Sequence, residues 1–553
     1  MNFYESDPVL REILEEQLEP SLWPWADKQL KSFGEMCANE IDERAIYTDR
    51  EGQPKLIKYN KMGEDISEVW VNEGYKQTVV DTYNQGIVGY IHKTIPELGR
   101  KGNYLYSYAQ GYLLSQAEPG FYCPVTLTMA TAYLIDHYAD DQLKEKYLPH
   151  VLSTGETVLY EGATFLTERQ GGSDVGANEV KAVPEGNHYK IYGEKYFASN
   201  AGTCGVAMVL ARIAGSEEGT KGLSLFLVPW RNEDHSLNGI QIRRLKDKLG
   251  VRAVPSAEVE FNGAEAYLVG EADQGFYYLM EALNLSRVCN AVASIGIMRR
   301  AYSEAHDYAG KRRAFGHKLV NYPMIKDTLV RMSVKQEVEL RTVFDMIQFF
   351  DEAARNPSTE KETTTAMNRL RIAIMKKETA EQAVHFAHES LEIHGGNGYI
   401  EDFVTPRLLR DAQVLTVWEG TANILGLEVL RLLHKYKAHE FFFQEMTQRL
   451  SFVQGLSNEV EMVTQEIKDL REWMNSILQK GTDAQTFYSK RMAERMAILY
   501  ESVVALEAAG KGERHRIVAE LYVHQAYADE ESLDPPKSLQ YSDVILHDHK
   551  VLS

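Results

Sequence analysis

One carboxylate in this sequence stands in a setting that suits proton transfer: Glu419, in the segment Val417-Trp-Glu-Gly-Thr421. A carboxylate set between apolar residues and a glycine can be partly desolvated, and desolvation raises its pKa toward the range that proton abstraction requires. The same five residues also fit an ordinary turn with a surface glutamate. On this segment alone, a catalytic base and a turn residue are equally good interpretations.

Glycines that can cradle a phosphate group precede this carboxylate, in Ile393-His-Gly-Gly-Asn-Gly-Tyr399. Successive backbone N–H groups with no side chain in the way form concavities that bind a pyrophosphate. A second candidate for phosphate binding is Arg312-Arg-Ala-Phe-Gly316, at the end of a predicted long helix, because a guanidinium pairs well with phosphate. Without further context, a solvated basic helix end favoured by the helix dipole is the preferred interpretation of this arginine pair.

A third segment, Leu166-Thr-Glu-Arg-Gln-Gly-Gly-Ser-Asp174, combines paired glycines with the hydroxyls of Thr167 and Ser173. Such groups can hydrogen-bond the polar edge of a ring, although a plain loop is the preferred interpretation of this segment alone. The segment contains no GxGxxG pattern after a strand, so a Rossmann dinucleotide site has little support. His385 and His388, at i, i+3, are interpreted as surface or core histidines, so no metal site is predicted.

Four segments must position these residues. Residues 1–160 are predicted to be mostly helical, with helical apolar spacing in Leu10–Leu18. Residues 161–275 are predicted to form a small β-barrel or sandwich of short strands. Residues 276–435 return to long helices typical of a four-helix bundle, and residues 436–553 form an additional helical region. The predicted strands are Val180–Val183, Tyr189–Tyr192, Val206–Ala211, Leu223–Val228 and Ala257–Phe261.

The composition is that of an ordinary globular protein, with 44% hydrophobic and 25% charged residues among 553. The net charge of −20 argues against a general nucleic-acid binder. Four scattered cysteines without a CxxC pair predict reduced thiols and a cytoplasmic location. The first residues lack the features of a signal peptide, and no apolar run approaches the roughly 18 residues of a membrane span.

Together, the three segments resemble the acyl-CoA dehydrogenase superfamily over roughly residues 80–435, in the family's order and with Gly395 and Glu419 at its spacing. A closer resemblance is to the AidB-like, alkylation-response branch, which also carries an extra C-terminal helical region. It rests on Cys123-Pro-Val-Thr-Leu-Thr128, Thr167-Glu-Arg-Gln-Gly-Gly-Ser-Asp174, Arg244-Leu-Lys-Asp-Lys-Leu-Gly250 and Met298-Arg-Arg-Ala301. The resemblance implies an α+β fold with an N-terminal helical domain, a central β-barrel or sandwich, a C-terminal four-helix bundle and an added helical region.

The resemblance implies an FAD-dependent dehydrogenation of an acyl-CoA thioester, in which Glu419 removes the α-proton and flavin N5 accepts a hydride from the β-carbon. The residues implied to bind FAD are Leu166, Thr167, Ser173, Phe197, Ser199, Arg312, Phe315, Gly395, Gly396, Thr421 and Asn423. Those implied to bind substrate are Ser173, Arg287 and Gly420. Because Arg312 and Phe315 match residues that reach the FAD of a neighbouring subunit, a homo-oligomer is expected, either a dimer or a tetramer. The implied electron acceptor is an electron-transfer flavoprotein.

The sequence departs from the family pattern at two positions. Glu392 stands where many members have glutamine, and Asn284 stands where straight-chain enzymes often have an aspartate for the substrate. The alkylation-response prototype binds DNA through a basic C-terminal face, but acidic residues outnumber basic ones here from residue 440 onward. A DNA-associated protective flavoprotein with weak dehydrogenase activity is therefore the alternative function, for which a basic cluster would have to form from Arg431, Arg491, Arg495, Arg514 and Arg516.

Overall fold

The computed structural model describes residues 1–355, 361–528 and 536–547. The chain divides into two compact units, which we call the mixed unit, Lys28–Cys289, and the helical unit, Met1–Asp27 together with Asn290–Ser553. The finer division into four domains stays a prediction.

The N-terminal part of the chain is mostly helical, as the apolar spacing predicts. Its helices are α1 (Pro8–Gln17), α2 (Trp23–Met36), a π-helical turn (Cys37–Ile41), α3 (Asp42–Arg50), α4 (Glu73–Tyr83), α5 (Gly89–His92), α6 (Tyr104–Ala117), α7 (Pro119–Tyr138) and α8 (Asp141–Val151). Several begin at an Asp or Asn whose side chain accepts a hydrogen bond from the backbone N–H three residues on, as at Asp7, Asn72, Asn103 and Asp140. Every residue of α6 is buried.

Two short hairpins interrupt this helical region, and the apolar spacing of the sequence does not predict them. They are β1 (Lys55–Tyr59) with β2 (Asp65–Trp70), and β3 (Thr94–Ile95) with β4 (Arg100–Lys101). None of the residues of β1 is buried, so its side chains carry little apolar alternation to detect.

The centre of the mixed unit is a closed β-barrel, which confirms the predicted β region. Its strands are β5 (Gly162–Phe165), β6 (Lys181–Glu185), β7 (His188–Ser199), β8 (Val206–Ile213), β9 (Leu223–Pro229), β10 (Ile240–Leu245) and β11 (Ser256–Val269). The ring runs β11-β7-β6-β8-β9 and returns to β11, with β10 paired outside to β11 and β5 paired in parallel to β8. Closure removes the exposed edges of the ring strands.

Long helices follow the barrel, as predicted. They are α9 (Gly275–Lys311), α10 (Pro323–Arg355), α11 (Lys361–His394), α12 (Thr405–Leu415) and α13 (Ala422–Tyr436), with a small hairpin of β12 (Arg313–Ala314) and β13 (His317–Lys318) between α9 and α10. The C-terminal region adds α14 (Ala438–Leu450), α15 (Ser457–Leu478), α16 (Thr482–Ala508), α17 (Glu513–Tyr527), α18 (Lys537–Gln540) and α19 (Ser542–His547). Because α16 packs against α10, α11 and α13, the added region shares the core of the helical unit.

Within the described ranges, none of the helices has the length and apolar character needed to cross a membrane.

Candidate functional site

Glu419 lies in a tight turn between α12 and α13. The backbone N–H groups of Val417 and Trp418 both donate to the carbonyl oxygen of Val414 at 2.9 Å, which ends α12. Glu419 then adopts a left-handed conformation with φ of 60°, and Gly420 follows with φ of 106°. Non-glycine residues rarely take positive φ, and residues that do so cluster at functional sites. The side chain of Glu419 is half-buried, so this geometry favours a functional glutamate over an ordinary surface residue.

The residues after this turn place a polar group at the start of α13. Thr421 is in the capping position of α13, with φ of −68° and ψ of 166°, yet its hydroxyl makes no capping hydrogen bond with the described residues. Thr421 and Asn423 are both exposed. The first turn of a helix carries N–H groups that attract anions, so exposed polar residues here suit contact with a polar or negatively charged ligand.

The glycine loop in the same unit presents open backbone. Gly395 has φ of 61°, and an added Cβ at Gly395 or Gly396 would meet no described atom within 4 Å. The loop is anchored from one side, because the ring of His394 stacks on Tyr308 at 4.2 Å and the Asn397 amide donates to the Tyr308 hydroxyl at 3.0 Å. The open side leaves room for a group as large as a pyrophosphate.

The hairpin β12–β13 carries Arg312 and Phe315 at the surface. Phe315 is 96% exposed and has φ of 48°, at the tip of the hairpin. The Tyr322 hydroxyl donates to the carbonyl oxygen of Ala314 at 2.6 Å, and the Arg312 carbonyl accepts from Leu319 N at 2.9 Å, so the hairpin is held from its base. An exposed aromatic ring on a hairpin held at its base can supply apolar area to a contact with another molecule.

In the mixed unit, the loop Leu166–Asp174 leaves strand β5 and is tied to strand β7. The N–H of Tyr196 donates to the Thr167 carbonyl at 2.9 Å, and the Lys195 ammonium donates to the Leu166 carbonyl at 3.1 Å. An added Cβ at Gly172 would come within 2.7 Å of the Thr167 hydroxyl oxygen, so glycine at this position allows the close approach. Ser173 is exposed.

A buried ion pair, which the sequence analysis did not identify, holds this loop. The Lys195 ammonium lies 2.8 Å from Glu168 Oε1, and both side chains are almost fully buried. Glu168 also accepts from the N–H groups of Glu179 and Val180 at 2.7 and 3.2 Å, which closes the segment that follows the loop. Burial lowers the pKa of Lys195 to about 8, and the nearby Glu168 opposes that effect. A lysine inside an otherwise ordinary strand was the available sequence signal.

Strand β7 also presents an exposed aromatic ring beside the loop. Phe197 is 55% exposed, and the Lys246 ammonium lies 4.9 Å from the centre of its ring and 3.3 Å from that of Tyr196. The hydroxyl of Ser199 lies 3.0 Å from that of Ser256 on β11. An exposed ring next to a polar loop is a surface on which a flat cofactor can pack.

Three family models match successive parts of the chain. They are the Adaptive response protein AidB N-terminal domain over residues 1–155, the Acyl-CoA dehydrogenase middle domain over 163–264 and the Acyl-CoA dehydrogenase C-terminal domain over 273–433. Acyl-CoA dehydrogenase family member 11 of Caenorhabditis elegans is 32% identical over 496 residues, which cover 87% of this chain and 79% of that protein. The chain belongs to the acyl-CoA dehydrogenase family.

The AidB-like resemblance is confirmed as well. Putative acyl-CoA dehydrogenase AidB of Escherichia coli (strain K12) is 30% identical over 443 residues, which cover 78% of each chain. The crystal structure of Caenorhabditis elegans ACDH-11 in complex with C11-CoA matches with a TM-score of 0.88 and 27% identity, covering 99% of this chain and 95% of that one. This acyl-CoA dehydrogenase is therefore an FAD-dependent oxidoreductase by family, with the predicted order of helical, β and helical parts.

The residues predicted to bind FAD and substrate fall into two groups. The mixed unit carries Leu166, Thr167, Ser173, Phe197, Ser199 and Arg287, and the helical unit carries Arg312, Phe315, Gly395, Gly396, Gly420, Thr421 and Asn423 together with the predicted base Glu419. Within the mixed unit, the exposed Phe197 ring and Ser173 hydroxyl fit contact with a flat polar ring, and within the helical unit the open glycine loop fits a pyrophosphate. The individual roles of these residues stay predictions.

Two residues on the first part of α9 bear on the substrate. Arg287, predicted to bind substrate, is buried. Asn284 is half-buried, and its Oδ1 is a buried acceptor without a hydrogen-bond partner among the described residues. A buried amide oxygen of this kind is costly unless a ligand or water supplies a donor, so Asn284 is suited to a polar contact with a bound molecule.

Glu392, which stands where many family members have glutamine, lies on the protein surface. Its carboxylate is exposed and lies 3.7 Å from His388 Nε2, one helical turn earlier. His388, Glu389 and Glu392 offer ligand atoms within 4.8 Å of one another, but His388 and Glu392 are exposed on the face of α11. Mutual pairing on a helix surface accounts for this group without a metal.

Most arginines that the DNA alternative requires are paired with carboxylates. Nitrogen–oxygen distances are 2.9 Å for Arg431–Glu428, 2.8 Å for Arg495–Glu466 and 3.2 Å for Arg516–Glu520, and Arg514 pairs closely with Glu337. The guanidinium of Arg491 lies 6.0 Å from the centre of the Trp473 ring. Paired charges contribute little to phosphate binding, so the predicted basic cluster gains no support from this arrangement.

Proposed function

We propose that this chain catalyses the α,β-dehydrogenation of an acyl-CoA thioester, with Glu419 as the base. The observation that carries the proposal is the left-handed turn, which presents the Glu419 carboxylate between the end of α12 and the start of α13. The related Caenorhabditis elegans ACDH-11, whose structure is a complex with C11-CoA, supports a thioester as the ligand class. A carboxylate held in a fixed turn can take the α-proton, provided that the thioester carbonyl is stabilised as charge develops.

The other predicted residues then have roles in binding. Thr167, Ser173, Phe197 and Ser199 would contact the isoalloxazine ring, and Gly395 and Gly396 would contact the pyrophosphate. FAD, when bound, supplies the acceptor for the hydride that leaves the β-carbon. Ser173, Arg287 and Gly420 would bind the acyl-CoA substrate, as the resemblance implies.

The exposed hairpin supports a homo-oligomer. Phe315 and Arg312 would reach the FAD of a neighbouring subunit, which explains a phenylalanine that is 96% exposed in the single chain. We also propose that electrons pass on to an electron-transfer flavoprotein, the acceptor that the resemblance implies.

The test is the anaerobic reduction of the purified flavoprotein by straight-chain acyl-CoAs, including C11-CoA. The loss of flavin absorbance measures the reduction. Glu419→Gln should slow reduction by about 10²–10⁴-fold, the range that a general base contributes. Glu392→Gln is the matched control, because Glu392 is an exposed carboxylate near the glycine loop with no part in proton removal. Equal reduction rates in Glu419→Gln and the wild type would refute the role of Glu419.

A DNA-associated protective flavoprotein is the second candidate, favoured by the match of residues 1–155 to the AidB N-terminal domain. A gel-shift experiment at low salt discriminates the two, because electrostatic binding to DNA is strongest there. The net charge and the paired arginines lead us to expect no shift at micromolar protein.

A further inference from the structure

A buried lysine in the helical unit contacts the Glu419 turn directly. Lys376 lies on α11, and its ammonium donates to the carbonyl oxygen of Gly420 at 2.7 Å. The side chain is almost completely buried. Burying an ammonium costs several kcal/mol unless its contacts compensate, so this hydrogen bond belongs to a lysine held in place by its surroundings.

The turn needs such a donor because its backbone leaves the helical pattern. Glu419 and Gly420 both have positive φ, so the chain has left the helical conformation before it reaches the Gly420 carbonyl. The left-handed conformation of a glutamate is unfavourable, and it persists only when the surrounding structure fixes it. A charge-assisted hydrogen bond is stronger than one between neutral groups, so the bond from Lys376 can hold the Gly420 carbonyl in place.

The next residue shows that burial of a lysine is not sufficient for this contact. Lys377 is equally buried, but its ammonium pairs with Glu381 at 2.9 Å, one turn further along α11. Successive residues of a helix point about 100° apart, so only one of the two lysines can face the turn. Lys376 is directed at the carbonyl of Gly420, whereas Lys377 pairs with carboxylates of its own helix.

We propose that Lys376 is a positioning residue for the reaction: its ammonium fixes the Gly420 peptide and thereby aims the Glu419 carboxylate at the α-carbon. The inference rests on the proposed function, since it assigns a partner to the proposed base. Lys376 acts through Glu419 and contacts neither substrate nor cofactor in this role.

The experiment compares Lys376→Met with Lys377→Met in the purified flavoprotein. Lys376→Met removes the donor and keeps a long side chain, so we expect the limiting rate of flavin reduction by C11-CoA to fall about tenfold to hundredfold, as for a misplacement of about 1 Å. The concentration of C11-CoA at half-saturation should stay within about twofold, because thioester binding does not use this lysine. Lys377→Met should keep the wild-type limiting rate.

A second measurement does not depend on activity. Hydrogen–deuterium exchange in the peptide spanning residues 414–424 should speed up about tenfold in Lys376→Met and stay unchanged in Lys377→Met. Wild-type exchange in Lys376→Met would overturn the proposal, and so would a wild-type limiting rate. If no acyl-CoA reduces the wild-type flavin, the proposed function fails, whereas faster exchange in Lys376→Met alone would still establish that Lys376 holds the turn.

Discussion

Glu161 gives the mixed unit a pH-dependent stability. Its side chain is 6% exposed, and Oε1 lies 3.0 Å from the Tyr83 hydroxyl, which in turn lies 2.8 Å from the Thr128 hydroxyl. The Thr128 hydroxyl donates its one hydrogen to the Pro124 carbonyl at 2.8 Å. The Tyr83 hydroxyl donates to the Glu161 carboxyl group, and this bond acts to lower the pKa of Glu161. Burial is the larger effect and raises the pKa of Glu161 to about 7.

The size of the effect follows from this pKa. Because the folded chain binds the proton more tightly than the unfolded chain, the stabilisation is fully present below a pH of about 4.5 and is lost as the pH rises through about 7. At roughly 1.4 kcal/mol per pH unit, the full difference is about 3.4 kcal/mol, of which about 2.5 kcal/mol falls between about pH 5 and pH 8.

Glu161→Gln tests this reasoning. Its amide oxygen can still accept the hydrogen bond from Tyr83, but the amide does not titrate, so the variant should lose about 2.5 kcal/mol less free energy of unfolding than the wild type between about pH 5 and pH 8. Urea denaturation across that interval measures the difference. Equal slopes in the two proteins would refute the assignment of a protonated Glu161.

Glu156→Gln is the control for this experiment. Burial acts to raise the pKa of Glu156, but hydrogen bonds, first that from Lys93, lower it to about 2. Its stabilising effect is thus constant above a pH of about 5, and Glu156→Gln should leave the slope between about pH 5 and pH 8 at the wild-type value.

Two further predictions concern FAD. Lys195→Met should leave the buried Glu168 carboxylate without its ion-pair partner and cost about 3–5 kcal/mol of unfolding free energy. The double variant Lys195→Met/Glu168→Gln should recover part of this loss. Urea denaturation measures the stability of both variants, and FAD retention on dialysis measures their cofactor binding. Gly396→Ala should keep the wild-type unfolding free energy within about 0.5 kcal/mol but weaken FAD binding, since the added Cβ meets no described atom and would enter the space proposed for the pyrophosphate. Unchanged FAD affinity in Gly396→Ala would remove that loop from the cofactor site.

The long elements were predictable from the sequence because apolar spacing repeats many times within them. The long helix predicted to end near Arg312 is α9, Gly275–Lys311, and the predicted strands Val180–Val183 and Tyr189–Tyr192 overlap β6 and β7. The hairpin β1–β2 was missed because short, half-exposed strands carry few apolar positions. The closure of the barrel through β9 depends on strand pairing between distant residues, which no local pattern encodes.

The site was predictable in its residue types but not in its geometry. The spacing of Glu419 from Gly395 supported a family resemblance, whereas the left-handed φ of Glu419 contradicts the ordinary preference of a non-glycine residue and needs the fold to impose it. The sequence does not predict the roles of Lys195 and Lys376, for a related reason. A buried lysine is recognised by its partners, and these lie 27 residues away for Glu168 and 44 away for Gly420.

Each of these two lysines donates a hydrogen bond to a main-chain carbonyl of a loop in its own unit. An irregular loop that carries functional groups leaves main-chain carbonyls without helical or sheet partners, and a buried carbonyl must still find a donor. In each unit a lysine on a regular element supplies it, Lys195 to Leu166 at 3.1 Å and Lys376 to Gly420 at 2.7 Å. The long stem and the three hydrogens of an ammonium allow a rigid strand or helix to hold a loop at a distance. The loops can therefore keep unusual backbone conformations with support from outside their own residues, so substitution of Lys195 on β7 or Lys376 on α11 should alter the site although neither residue lies in a loop.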